Sequence, residues 1–374
     1  MTTIKILGIG NSFTEDALEQ NLYELAQEVG IELVIGVAYH AGWSLQEHWE
    51  SANNGEASIS WRKVNDRGWN SRPNQTLEWC IEQESWDYIA FQQVSDYSGI
   101  VSSYEPYLTN LISYVKSRVS NPNAKYGFYM TWAYPQFSKM AAFANYDNDQ
   151  ITMYEAIANA VHTIMQNHQD LDFLVPVGTA IQNARTTVLG DSMNRDDHHL
   201  NRGTGRYTAP CTWLEAITGI SPVGLDYHPK RALKRWSGGV VEVEPIGYEM
   251  AAICQMAAHH AVQAPYAITN MEDYDGEGTA PTPHPDEEDT IIKNMELNII
   301  PSKGKFGTIA TQLNRNFDII QVGFSEIQFS VSKNKGMFSN SAALQATIPS
   351  PKAGDWALYS TPQSQTSDPM LLRQ

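Results

Sequence analysis

Cysteine is scarce in this chain: three residues in 374, Cys80, Cys211 and Cys254, far apart and in no C-x-x-C pair. An odd, scattered set excludes a disulfide framework and a cysteine zinc site. Bases are few as well, 25 Lys and Arg against 42 Asp and Glu, for a net charge of −17. Nucleic acid is bound through clustered Lys and Arg on its phosphates, so that partner class is excluded. No apolar run reaches the roughly 20 residues that span a bilayer. There is no repeat of solenoid or propeller period, no P-loop and no G-x-S-x-G elbow. The first residues run almost directly into a strand, leaving no room for a signal peptide. The expectation is a protein that stays in its cell, leaves by another route, or has lost a leader.

What is present is an alternation of apolar runs and amphipathic segments. Ile4–Ile9, Ile31–Tyr39, Trp86–Gln92, Tyr126–Trp132 and Phe173–Val177 read as five buried strands. Helical spacing appears between them, with Leu18, Leu22, Leu25 and Val29 ahead of a Gly30 stop. It recurs at about 104–119, 153–168, 207–218 and 246–264. Strands joined by helical crossovers make a parallel sheet covered on both faces. Such sheets bind ligands beyond the C-terminal ends of their strands.

Two loops there carry reactive side chains. Gly10-Asn11-Ser12-Phe13 directly follows the first strand. A serine at a strand-to-helix turn either N-caps the helix or presents its hydroxyl where N–H groups favour an oxyanion. The Gly8-x-Gly10 spacing also suggests a dinucleotide loop. Phe13 stands at its third glycine, and Tyr39-His40 offers no acid for a ribose. Asp196-Asp197-His198-His199 lies after the fifth strand. Asp and His three apart can pair, orienting the imidazole toward a hydroxyl. The cluster also raises a metal site, although no second ligand cluster exists, and an ordinary polar loop stays open. His259-His260, in an Ala-rich helix, reads as packing and surface.

These blocks together resemble the SGNH (GDSL-like) hydrolases over about residues 4–265, in a bacterial branch reading G-N-S-F. The branch's further blocks match Trp86-Asp87-Tyr88-Ile89-Ala90-Phe91-Gln92, His199-Leu200 and Gly205-Arg206-Tyr207. The resemblance implies a flavodoxin-like three-layer α/β/α sandwich on a five-stranded parallel sheet. It implies a carboxylic ester hydrolase with Ser12 as nucleophile, His199 as base and then acid, and Asp196 as the orienting carboxylate. Asp197 and His198 are left without a role. The oxyanion hole would take the Ser12 N–H, the Gly42 N–H and a side-chain amide. The family's G-x-N-D block is absent, so Gln92 is the expected third donor and Gln93 the fallback. The branch and the aromatics near the blocks (Trp43, Trp49, Trp132, Tyr134) point to acetylated carbohydrate as substrate. No cofactor and no metal are expected. A non-catalytic structural or glycan-binding protein on this scaffold, and a lipase or thioesterase, are the alternatives.

Composition changes at Met271. Residues 271–290 hold eight acids, no Lys or Arg, three Pro and two Gly, nearly half of the net charge in one stretch. The reading is a hydrolase domain over 1–268, a solvated linker over 269–291 and a small β-rich module over 292–374. In the module, Ile309, Leu313, Phe317 and Ile320 suggest a helix, and Ile327, Phe329 and Val331 a strand. Pro349–Asp355 suggests a turn before a strand at Trp356–Tyr359. Ile309–Phe317 and the Pro349–Ala357 run resemble modules of phage fibre or virion surface proteins. That resemblance implies anchoring, homo-oligomerisation or glycan binding, and an extracellular or virion-associated enzyme trimming host surface polysaccharide; an ordinary β-rich domain appended to a bacterial enzyme that has lost its leader is the alternative.

Overall fold

The computed structural model describes residues 2–230, 233–236, 239–241, 243–276, 334–338, 356–359 and 370–373. The strands β1 (Thr2–Gly10), β2 (Ile31–Tyr39), β3 (Ile59–Asn65), β4 (Gly68–Gln75), β5 (Tyr88–Phe91), β6 (Lys125–Tyr129) and β7 (Phe173–Val175) form one sheet. Its order is β4-β3-β2-β1-β5-β6-β7. The pairs from β2 through β1, β5 and β6 to β7 are parallel. The expected five-stranded sheet is therefore corrected to seven, because β3 and β4 add an antiparallel hairpin beside β2. The hairpin turns at Asp66-Arg67, with Arg67 N–H donating to Asn65 Oδ1 and Gly68 at φ 93°. Half-buried alternation (Ile59, Trp61 and Val64 in, polar residues out) distinguishes this edge from the central strands.

Every residue from Ile6 to Gly10 of β1 is buried, as a strand covered on both faces must be. The helices are α1 (Ser12–Leu18), α2 (Leu22–Glu28), α3 (Leu45–Asn54), α4 (Leu77–Ile81), α5 (Tyr107–Lys116), α6 (Gln150–Asn167), α7 (Val177–Arg185), α8 (Thr204–Thr218) and α9 (Tyr248–Gln263). α8 packs against α1, α2, α7 and α9, while α3 packs against α4 and α5, so two helical groups flank the sheet. The helical pattern expected through Leu18–Val29 is interrupted. α1 stops at Leu18 with Glu19 as its C-cap, and Asn21, at φ 62°, starts the next helix, its amide donating to the Arg206 carbonyl at 2.8 Å. Phe13, Ala17 and Leu18 bury α1 completely on its sheet side. Each large apolar side chain there contributes about 1.5–3 kcal/mol. Thus the turn that carries Ser12 rests on packed core.

Two compact units divide the chain, Met1–Thr290 and Ile291–Gln374. Within the first, β8 (Leu233–Trp236) and β9 (Gly239–Val241) form a separate antiparallel pair. Met271, where the acidic stretch begins, is buried, and its N–H donates to Thr186 Oγ1 at 2.8 Å. In the second unit, β10 (Asn334–Phe338), β11 (Trp356–Tyr359) and β12 (Met370–Arg373) make a three-stranded sheet. The rest of the linker, the helix expected at 309–320 and the strand at 327–331 lie outside the described residues. No described helix is long and apolar enough to cross a membrane.

Candidate active site

The turn after β1 shows why Ser12 is available. Asn11, not Ser12, caps α1: its Oδ1 accepts the Phe13 N–H at 3.0 Å. Ser12 occupies the first helical position with its hydroxyl uncommitted to the backbone. That hydroxyl lies 2.9 Å from His199 Nε2, and His199 Nδ1 lies 2.9 Å from Asp196 Oδ2. An ionised carboxylate only accepts, so Nδ1 carries the proton and Nε2 is left to accept from the serine. The chain brings these three groups together across 187 residues between Ser12 and His199.

Asp196 is anchored by its own loop. Its Oδ1 accepts the backbone N–H groups of His198 (3.0 Å) and His199 (2.7 Å). Burial works to raise its pKa, but those two N–H bonds and the His199 ring outweigh it and bring the carboxyl down to about 2. The stability this lends is present above the usual carboxylate value and is lost as pH falls from there toward 2.

The loop is pinned from three sides. Trp132 Nε1 and Asn194 Nδ2 both donate to the His198 carbonyl, at 2.7 and 3.1 Å. Phe13 stacks on Trp132 at 4.1 Å and 5°, so the fourth residue of the G-N-S-F block joins the nucleophile turn to the acid–base loop. From below, Asp16 of α1, fully buried, accepts the Leu200 N–H at 2.9 Å and both its oxygens meet Arg195 at 3.1 Å. Arg206 Nη2 closes on its Oδ1. Asp16 and Arg195 were not expected at this site, Arg206 was singled out only within the Gly205-Arg206-Tyr207 block, and Trp132 only as an aromatic for sugar rings rather than as a support of the His198 carbonyl. Asp16 stands one helical turn after Ser12, a spacing that signals a shared face, but nothing in the sequence announces partners some 180 residues away.

The expected oxyanion donors fare differently. Gly42 sits on the exposed loop after β2 at φ +69°, a conformation glycine adopts without strain. The next residue's carbonyl, Trp43 O, accepts from Asn11 Nδ2 at 3.0 Å, tethering this loop to the serine turn. Among the described residues, neither the Ser12 nor the Gly42 N–H meets an acceptor. Gln92 requires correction as the third donor. Its Nε2 donates to Asn11 Oδ1 at 2.9 Å and to Gln93 O at 3.2 Å, and its Oε1 accepts from Thr14 at 2.6 Å. Because Asn11 Oδ1 is already an acceptor for Phe13 N–H, the facing Gln92 atom has to be the nitrogen. Gln93 is equally engaged, donating to Ser103 O and Oγ and accepting from Leu45 and Val94 N–H. Both glutamines are struts. Gln92→Ala is accordingly expected to cost about 2–3 kcal/mol in a denaturant titration. An unchanged midpoint with a hundredfold loss of turnover would restore Gln92 as a donor.

Of the four aromatics singled out in the sequence, Trp132 and Tyr134 are fully buried and stack on nothing outside the protein. Trp49 packs edge-on against Tyr114. Trp43 is half-buried and stacks on His40 at 3.6 Å, beside Gly42. Tyr97 and Phe137, beyond β5 and β6, are 47% and 58% exposed. His259 pairs with Glu215 between α9 and α8, as a packing histidine would.

His48, in the first turn of α3, is buried against the Trp43 edge. Burial, reinforced by His40 and opposed by the Gly10 carbonyl, holds its pKa down to about 3. An unfolded imidazole protonates near 6.5, so the unfolded chain binds the extra proton first. Its contribution is whole above that value and is lost as pH falls toward 3, by about 1.4 kcal/mol per unit. His48→Met should flatten this slope when urea midpoints at pH 7 and pH 5 are compared with the parent. Parallel slopes would contradict it.

A family model described as a domain of unknown function, DUF4886, matches residues 5–238, more than half of the chain. The crystal structure of a DUF4886 family protein from Bacteroides uniformis is similar at 37% identity and a TM-score of 0.66, covering 72% of this chain and 98% of that one. A putative SGNH hydrolase from Slackia heliotrinireducens aligns at 19% identity and a TM-score of 0.38, covering 58% of this chain and 100% of its own. A family 3 carbohydrate esterase from Clostridium thermocellum aligns at 16% and 0.36, covering 59% and 97%. No curated protein matches the sequence. With its family model spanning the serine turn, the central sheet and the acid–base loop alike, this chain belongs to the DUF4886 family.

Proposed function

We propose that this protein is a serine esterase of the SGNH type that removes small acyl groups, acetyl above all, from carbohydrate. The observation that carries the reading is the unbroken chain from Ser12 Oγ through His199 to Asp196, each link 2.9 Å. In this mechanism Ser12 Oγ attacks the ester carbonyl while His199 Nε2 takes its proton, and the resulting imidazolium is balanced by Asp196. The tetrahedral oxygen collects the Ser12 and Gly42 N–H groups, each such donor being worth about 3–4 kcal/mol of barrier. His199 then returns its proton to the departing sugar alcohol, leaving acetyl on Ser12. Water, deprotonated by the same nitrogen, releases acetate and restores the serine.

Support for a carbohydrate substrate comes from the Trp43–His40 stack beside Gly42 and from exposed Tyr97 and Phe137 on the loops beyond β5 and β6, flat surfaces that suit sugar rings. The same proposal gives residues 292–374 an anchoring or glycan-binding role on a virion or cell surface, on the strength of their sequence resemblance alone. Acetate release from acetylated xylan and capsular polysaccharide, set against long-chain esters, tests the substrate. A fluorophosphonate probe tests the class: it should label Ser12, and an unlabelled Ser12 would leave a non-catalytic scaffold.

A further inference from the structure

We propose that Asp196, His198 and His199 form a binding site for a divalent transition-metal ion, Zn2+ being the fitting case, whose occupation switches the esterase off. The inference rests on the functional reading above for its consequence, but not for the site itself. One carboxylate faces two imidazoles: His199 Nδ1 is 2.9 Å from Asp196 Oδ2, and His198 Nδ1 is 3.5 Å from Oδ1. The two rings lie 3.9 Å apart, and one ligand atom from each of the three residues falls within 4.8 Å of the others. His199 Nδ1 is engaged by the carboxylate. His198 Nδ1 is buried and makes no hydrogen bond, so a nitrogen lone pair or proton stands beside a carboxylate without a completed contact.

Two imidazoles and a carboxylate are the donor set of zinc-like ions, whereas Mg2+ and Ca2+ take oxygen ligands. Trp132 and Asn194, holding the His198 carbonyl, and the two N–H bonds to Asp196 Oδ1 fix the loop as outer-shell partners fix a metal site. Arg195, whose Nε is 3.8 Å from Asp196 Oδ2, opposes a cation, which places the site in a weak, reversible class rather than that of a resident metal. Three protein ligands leave a fourth position for water.

The inhibitory consequence follows from the tautomer. A metal on His199 Nδ1 needs the lone pair of that nitrogen, so the ring's single proton leaves Nδ1 and, by exchange through solvent, returns to the ring on Nε2. The ring, remaining neutral, must then carry its N–H on Nε2, facing Ser12 Oγ. An N–H at that position donates where a base has to accept, so Ser12 keeps its proton. His198 has no part in the acyl-transfer steps, which makes its ring the place to separate metal binding from turnover.

The test uses the full chain, with Zn2+ added to acetyl-ester assays and Co2+ added for its visible ligand-field absorption. Zn2+ should inhibit the parent, with chelator restoring the rate and Mg2+ without effect. His198→Phe, which keeps the ring stacking, and His198→Gln should retain the metal-free rate. Both should need about tenfold or more Zn2+ for the same inhibition, and both should lose the Co2+ band. Equal inhibition of parent and variants, or no Co2+ band in the parent, overturns the site. If the chain hydrolyses no ester but binds Co2+ through His198, the metal site stands and the esterase reading falls.

Discussion

Ser12→Ala is expected to lower the turnover of p-nitrophenyl acetate by roughly ten-thousand- to a million-fold while leaving the fold intact. The size follows from the way the group acts. Without the hydroxyl there is no acyl-enzyme, and the remaining rate comes only from oxyanion donors and binding. The clean fold follows from the turn: α1 is capped by Asn11, and Ser12 contributes no cap. The unfolding midpoint should therefore move by less than about 0.5 kcal/mol, as for an ordinary partly exposed substitution. His199→Ala should lose about as much, and the double variant little more, because the two groups work as one unit. A Ser12→Ala rate equal to the parent's would place any esterase activity elsewhere.

Asp16→Ala carries the second large effect, on stability and activity together. The Asp16 side chain is wholly buried and meets three donors: Arg195, Arg206 and the Leu200 N–H. Its removal strands Arg206, whose side chain is 6% exposed, and among the described residues leaves it only a long contact to Glu15 at 3.5 Å. Breaking a buried pair from one side costs about 3–5 kcal/mol, because the surviving charge stays desolvated. The same carboxylate ties the residue after His199 to the helix that begins at Ser12, so the distance between base and nucleophile depends on it. In the folded fraction kcat should fall with KM nearly unchanged, and the amides of residues 195–200 should exchange faster. A purely structural role would lower the midpoint and leave the turnover of folded molecules and that local exchange as in the parent.

The sheet's parallel centre was legible because buried strands and amphipathic crossovers have different periods, and both periods are local. The β3–β4 hairpin was only half legible: a polar Asn65-Asp66-Arg67-Gly68 turn follows the half-alternating β3, but β4 is a polar, mostly exposed run without alternation. The interruption at Asn21 was hidden, because the apolar spacing of Leu18, Leu22 and Leu25 continues through a break in backbone direction. Resemblance of four short blocks pointed to Ser12, Asp196 and His199, and their approach to 2.9 Å contacts needed the fold to close a long loop.

By itself the sequence determined the parallel α/β class, the serine turn, the acid–base loop and the acidic stretch after Met271, since each is written in neighbouring residues. Only the tertiary structure decided who partners whom. Ser12 is free because Asn11 takes the cap, and Gln92 is a strut because Asn11 and Thr14 surround its amide. Asp16 becomes the support of the His199 loop because Arg195 and Arg206 return to α1 from far along the chain. A side chain's hydrogen bonds depend on what lies within about 3 Å in space, and chain order does not encode that distance.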